Sequence, residues 1–506
     1  MRQVDAMIGR ILLLVCCVGV AHCVIRTSIS RLQPKGIRFS VQDEAGVSLV
    51  GVHYSINKPI RNVEAGTFNY DVNSKTGSFW VHENRQVVLS PGDKVYYWVY
   101  WVKEGRGEQL LNQVWTVPSE VTQKPVTSSG SAFTKKPEVV SVHVNQPIPA
   151  LYSASDSDPG TVAHCSSYPC VIFRDDFDSF DLATWQHEIT AGGGGNWEFQ
   201  FYTNNRSNSY VRDGTLYIKP TLTADKYGEA FLSSGTLDLW GGCTNNQWYG
   251  CERRGTAQNY INPIQSARLR TKDSFSFRYG RLEVEAKMPT GDWIWPAIWM
   301  LPTDNAYGDW PASGEIDLVE SRGNVQLRAP GGHSIGVDTM ASTLHFGPFW
   351  PNDPYTKAHV EKTLQSGTFG SSFHKYAVEW DENSIRFYLD NQLIKTVDPG
   401  AHGFWGLGGF PNVDNPWKGR GKMAPFDQKF HIVMNVAVGG NNGYFPDNAQ
   451  NAGYPKPWTD TSSTAMRDFW NAKSRWYPTW KPHVNNGENA AMQIKYVQVS
   501  KLKADP

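Results

Sequence analysis

Three carboxylates interrupt an apolar run in PASGEIDLVE, residues 311–320: Glu315, Asp317 and Glu320, set among Ile316, Leu318 and Val319. Read as a helix, the spacing puts Glu315 and Asp317 about 200° apart, and they do not converge. Read as a regular strand, Glu315 and Asp317 share a face, while Glu320 is driven into the core, where an unpaired carboxylate is costly. One extra residue, a β-bulge at Leu318–Val319, returns Glu320 to the face of the other two and leaves Ile316 and Leu318 in the core. Two carboxylates facing one cleft suit glycoside hydrolysis: one protonates the leaving oxygen, and the other attacks or activates water. The expected separation is near the ~5–5.5 Å of retaining enzymes. Like charge on the central Asp317 raises one pKa, so that one Glu keeps a proton while the other is ionised. A solvated acidic strand is the plain alternative, and it leaves the apolar interleaving unexplained. A metal site is the other; no nearby histidine completes a ligand set, and no metal or cofactor is expected.

Just upstream, GDWIWPAIWMLP (291–302) places Trp293, Trp295 and Trp299 on one strand face by period two, with Ile298 and Met300 on the core side. Flat indoles suit the apolar faces of pyranose rings, and an apolar wall with a few polar groups describes a ligand cleft. His345, in TLHFG, is placed to hydrogen-bond the acid cluster or a sugar hydroxyl.

The elements that must hold these residues are β-strands. The chain has 506 residues, enough for a large domain and a smaller one. Its 20 Trp and frequent Gly and Pro, with few long helical repeats, point to an all-β protein with many turns. Lys+Arg and Asp+Glu balance at 48 each, so no net field draws it to nucleic acid or anionic membrane. Residues 25–125 read as a small immunoglobulin-like β-sandwich, with strands in GIRFSVQD, LVGVHYSIN, GSFWVHE and KVYYWVYWV. Its Trp80, Tyr97, Trp98, Tyr100 and Trp101 offer a surface for a flat ligand, with core packing as the competing assignment. Residues 126–164 are Ser/Thr/Pro-rich and read as a linker. From 165 to 506 the strand pattern returns, in FRYGRLEVEAKMP, HKYAVEWDENSIRFYLDNQLIKTV, KFHIVMNVAVGG and MQIKYVQVSKL, and implies two large stacked sheets, a β-jelly roll. EWDENSIRFYLDN reads as a hairpin and STAMRDFWNAKSRW as the best helix.

Residues 1–23 read as a signal peptide: Arg2 and Arg10 precede ILLLVCCVGVA, a run too short to span a bilayer. The protein is therefore expected to be secreted and extracellular. Four cysteines remain, Cys165, Cys170, Cys243 and Cys251, an even count that suggests two disulfides. Three pairings are open; the local ones, Cys165–Cys170 and Cys243–Cys251, each close a short loop. Asn205 begins a glycosylation sequon, NRS.

SGEIDLVESRGN (313–324), GDWIWPAIWMLP, LHFGP (344–348), HKYAVEWDENSIRFYLDN and MNVAVGGNNGYFPD together resemble glycoside hydrolase family 16, in its laminarinase branch. The layout resembles the invertebrate β-1,3-glucan recognition proteins, whose N-terminal module is a glucan-binding sandwich. The resemblance implies a jelly roll with a substrate groove and a retaining mechanism, with Glu315 as nucleophile, Asp317 as its hydrogen-bonding helper and Glu320 as general acid/base. It also implies cleft roles for Trp295, Trp299, Trp310, Arg322, Asn324 and His345, and a more distant sugar subsite at Arg206 and Asn208. Many relatives hold a structural calcium with an Asp of the last strand; Lys495 stands near that place, so no calcium is expected. Two functions follow: a monomeric, secreted endo-β-1,3-glucanase acting on laminarin-like polymers, or a β-1,3-glucan-binding recognition protein of innate immunity with little or no hydrolysis. All three acids are present, which favours hydrolysis.

Overall fold

The computed structural model describes residues 26–118 and 165–504, apart from positions 33–34, 61–65, 73–74, 86, 104–105, 241 and 411. The segments expected to be a signal peptide and a linker, with the strand-like EVVSVHV, lie outside the described residues. Strands dominate both parts. In the first, one four-stranded sheet runs Thr27–Arg31, Ile37–Gln42, Phe79–Asn84, Lys75–Thr76, and the other runs Phe68–Val72, Val47–Ile56, Lys94–Lys103, Arg106–Thr116. Alternation explains the packing: Ile37, Phe39 and Val41 of one sheet meet Val50, Val52, Tyr54, Val95 and Val99 of the other.

This packing corrects the expected aromatic surface. Trp80 and Trp101 belong to the module's core. Trp98 and Tyr100 lie on the opposite face of their strand, yet are also buried, in a cluster with Leu182, against which Phe180 and Ala183 pack. Trp98 stacks on His53 at 3.7 Å. The Tyr100 hydroxyl donates to Asp181 Oδ1 (3.1 Å) and accepts from the Leu182 N–H (3.1 Å). Aromatic rings with one polar tip are consumed by an intramolecular contact here, where sequence alternation alone leaves them facing out.

In the second part, a seven-stranded antiparallel sheet has the order Gln186–His187, Arg268–Arg270, Phe430–Val438, Ile294–Pro302, Glu315–Ser321, Thr339–His345, His359–Thr363. An eight-stranded sheet, centred on Gly280–Lys287 and Met492–Lys501, backs it. The two sheets share one core, to which Ile298, Met300, Ile316, Val319, Ile432 and Met434 contribute from the first and Leu282, Val284, Tyr376, Val497 and Val499 from the second. This is the all-β jelly roll expected from the strand pattern. The hairpin is His374–Trp380 with Ile385–Leu389, and the helical segment is Ala465–Asn471 followed by Lys473–Trp476. Cys165–Cys170 and Cys243–Cys251 are both disulfide-bonded. Lys495 donates to Glu285 Oε1 at 2.9 Å. No helix of the described residues is long and apolar enough to cross a membrane.

Candidate active site

Glu315–Ser321 is a central strand, and its ladder is interrupted where the three acids require it. Toward Thr339–His345, Asp317 pairs with Thr343 and Glu320 with Ala341, so Leu318 and Val319 together oppose Ser342. Toward Ile294–Pro302, Val319 pairs with Ile298 and Asp317 with Trp299, leaving Leu318 as the extra residue. Leu318 and Val319 are both buried in the core. Two consecutive inward side chains carry the phase over, and Glu320 comes back to the face of Glu315 and Asp317. The Ser342 hydroxyl donates to the Leu318 carbonyl at 2.8 Å, satisfying a buried polar group at the point where the ladder lapses. Ser342→Ala should therefore cost about 1 kcal/mol of stability, the typical net worth of one buried hydrogen bond. Chemical denaturation at constant m-value checks this, and an unchanged midpoint would show that the bulge carries itself.

Each outer acid is held by an indole. The Trp310 Nε1–H donates to Glu315 Oε2 (3.0 Å), and the Trp295 Nε1–H donates to Glu320 Oε1 (2.8 Å). Burial, and then the charge of Asp317, raises both glutamates: Glu315 well above the ordinary carboxylate range, Glu320 to about 7. The trio therefore holds at least one proton near neutrality.

His345 faces Glu315 across the ladder. Its Nε2 lies 3.2 Å from Asp317 Oδ2, and its Nδ1–H donates to Asp353 Oδ2 at 2.6 Å. Burial alone would lower the imidazole pKa; the contacts with Asp317 and Asp353 outweigh it and raise it well above the usual value. An imidazolium fixed between two carboxylates pins Asp317 and favours the charged forms of both glutamates. His345 thus contacts the acid cluster as expected, and it also completes a possible ligand set where none was expected: Glu315, Asp317 and His345 offer ligand atoms within 4.8 Å of one another. The imidazole bridges two carboxylates, Asp317 and Asp353, an arrangement suited to sharing a proton.

The aromatic residues divide. Trp299 lies on the floor, its Nε1–H donating to Asn435 Oδ1 (2.7 Å) and its ring 4.6 Å from the Arg268 guanidinium. Trp295 stacks on Tyr444 at 3.8 Å, and Arg322 covers Tyr444 at 4.0 Å while its Nε–H donates to the Tyr444 carbonyl (2.7 Å). Trp310 is 40 % exposed, lies 5.8 Å from the exposed Trp350, and forms a rim beside His345. Trp293 departs from the expected face: its φ of 68° places it before the strand, in the core against Phe445 and Trp458. A left-handed residue breaks the period-two count, so the alternation begins one residue later than the sequence suggests.

Three expected substrate contacts are corrected. Asn324 is fully buried, accepting from the Trp293 N–H (3.0 Å) and donating to Asn451 Oδ1 (3.1 Å). Asn208 spends its amide on the Lys219 and Gln265 carbonyls and the Thr221 hydroxyl (2.9, 3.1 and 3.0 Å). Arg206 is buried over Phe180 at 4.7 Å and donates to the Ser209 and Asn204 carbonyls (3.1 and 2.8 Å). All three are buried and hydrogen-bonded within the fold, Asn324 in place of a cleft contact and Arg206 and Asn208 in place of the more distant subsite. Asp353, Asn435 and Tyr444 were missed. Asn435 and Tyr444 carried a signal, since both belong to MNVAVGGNNGYFPD, a segment already singled out.

Residues 24–134 match the family model CBM39, described as a carbohydrate binding domain (family 32), and residues 243–415 match that of glycosyl hydrolases family 16. The chain is similar to a β-1,3-glucan-binding protein of Penaeus monodon, 54% identical over 348 residues that cover 67% of this chain and 92% of that one. It is 31% identical to β-1,3-glucan-binding protein 1 of Galleria mellonella, covering 94% and 95% of the two chains. Among solved structures, the laminarinase catalytic domain of Thermotoga maritima aligns with a TM-score of 0.41 and 25% identity, over 66% of this chain and 98% of that one. The chain, with a carbohydrate-binding domain N-terminal to a glycosyl hydrolase family 16 domain, belongs to the family of the invertebrate proteins named β-1,3-glucan-binding protein.

Proposed function

We propose that the protein is a secreted β-1,3-glucan-binding protein whose family 16 domain also cleaves internal bonds of the bound glucan with retention of configuration. The names of its relatives support the binding half. One observation carries the hydrolytic half: a bulged strand turns Glu315, Asp317 and Glu320 to one face, with an indole N–H on each glutamate. In this reading Glu315 attacks the anomeric carbon as the glycosidic bond breaks, and the leaving oxygen takes the proton of Glu320. Water then attacks the glycosyl ester, Glu320 takes its proton, and Glu315 is released. Asp317, pinned by His345, orients the nucleophile. Two disulfides suit an oxidising, extracellular setting.

A second reading, recognition with little or no hydrolysis, has its own support. Burial raises Glu315 well above its ordinary range, and a protonated carboxyl is a poor nucleophile. The relatives' names point the same way. The purified chain on laminarin, with reducing ends and product anomer read out, separates the two. Release of β-anomeric ends supports cleavage. Pull-down with insoluble glucan without any such release leaves recognition alone, and no pull-down removes both.

A further inference from the structure

Away from the acid trio, three exposed aromatics stand together: Trp197 (41 % exposed), Trp248 (43 %) and Tyr249 (73 %). All three have positive φ, at 55°, 51° and 60°. That conformation is costly for bulky residues and is held only where the surroundings impose it. Here they do. The Cys243–Cys251 bond closes the loop that carries Trp248 and Tyr249. That loop is stitched to 189–191 by Thr244 N–H to the Ile189 carbonyl (2.9 Å), Ala191 N–H to the Gly250 carbonyl (2.7 Å) and the Thr190 hydroxyl to the Asn245 carbonyl (2.7 Å). Arg253 ties the Trp197 ring to the backbone of the Trp248 loop, its guanidinium 5.6 Å from the Trp197 ring and its Nη2–H donating to the Trp248 carbonyl (2.9 Å). Gly195, at φ 82°, leaves room for the edge of the Trp248 ring; a Cβ there would meet Cζ2 at 3.0 Å.

A fold that fixes indoles outward at backbone cost is presenting them to a partner. Flat apolar faces interspersed with amides and a guanidinium suit an uncharged sugar chain. A chain of buried hydrogen bonds leads from beneath the patch to the acid floor. The Asn196 amide donates to Glu198 (3.0 Å), as does the Tyr202 hydroxyl (3.4 Å). The same hydroxyl accepts from Asn435 (3.0 Å), and Asn435 accepts from Trp299, the ladder partner of Asp317.

We propose that Trp197, Trp248 and Tyr249 form an outer platform on which a long β-1,3-glucan rests while another part of the same chain lies over the acid trio. This rests on the reading that the acid cleft takes β-1,3-glucan. The test is hydroxyl-radical footprinting of the full-length Glu315→Gln protein, which keeps the ligand intact, with a long linear β-1,3-gluco-oligosaccharide and with the disaccharide. The long ligand is expected to lower oxidation of Trp248, Tyr249 and Trp197 several-fold, and the disaccharide to spare only Trp310 near the acids. Protection of Trp310 by both ligands with the platform equally oxidised throughout would overturn the platform. Protection of none of these residues would instead overturn the reading of the cleft. As a second measurement, Trp248→Ala combined with Tyr249→Ala should weaken binding of the long ligand about tenfold. Unchanged affinity, or a dimer that these substitutions abolish, counts against a sugar platform.

Discussion

Glu315→Gln is expected to abolish release of reducing ends from laminarin, by roughly a thousandfold or more, while insoluble β-1,3-glucan still pulls the protein down. The size follows from the role: removing the group that forms the covalent bond leaves only binding and general electrostatics, and such losses are among the largest single substitutions give. Retention of binding follows from the structure. The amide is nearly the same shape, its oxygen still accepts the Trp310 N–H, and it places no new charge beside Asp317 and His345. Removing an acid from a buried, mutually repelling trio also relieves strain, so the variant should melt no lower than the parent. Turnover at the parental rate would show that Glu315 is not the nucleophile. If the parent has no turnover either, the variant has nothing to lose and recognition is the whole function.

The trio was legible because the core wrote it. Alternation of Ile316 and Leu318 with acids, followed by the adjacent apolar pair Leu318–Val319, admits one low-cost strand path, and the bulge lies on it. The jelly roll was legible for the same reason: Leu282, Val284 and Ala286 alternate with charged residues along one strand. What hides from sequence is who takes a donor. Asn208, Arg206 and Asn324 have the chemistry of sugar contacts, and backbone groups and a neighbouring amide claim them first. Trp98 and Tyr100 look like ligand platforms until Phe180 and Leu182 cover them. Asp353, Tyr444 and Asn435 reach the site only through tertiary pairing. His345 belongs to the acids because its strand happens to register with theirs, a fact that spacing within one segment cannot carry.

Hydrolysis should fall as pH rises through about 7, the value to which burial and then Asp317 raise Glu320. The leaving oxygen needs its proton, and above that pH the proton is gone. The same shift fixes a dependence of stability on pH that needs no substrate. Between the ordinary value of 4.5 and about 7 the folded chain holds a proton that the unfolded chain has lost. Stability therefore falls across that window, with the contribution of Glu320 intact below it and a constant deficit above it. Glu320→Gln removes the deficit, since the amide never ionises and its oxygen still accepts the Trp295 N–H. The variant should melt at the same temperature as the parent near pH 4.5 and be more stable by on the order of 2 kcal/mol above pH 7, while losing roughly 10²–10⁴ in rate. A gain that is equal at both ends of the window would mean that Glu320 titrates as an ordinary carboxyl. The alkaline limb of the rate would then belong to another group, and the general-acid role would have to move with it. Stability gained together with activity lost, on the alkaline side alone, is the signature of a carboxyl kept uncomfortable for the sake of its proton.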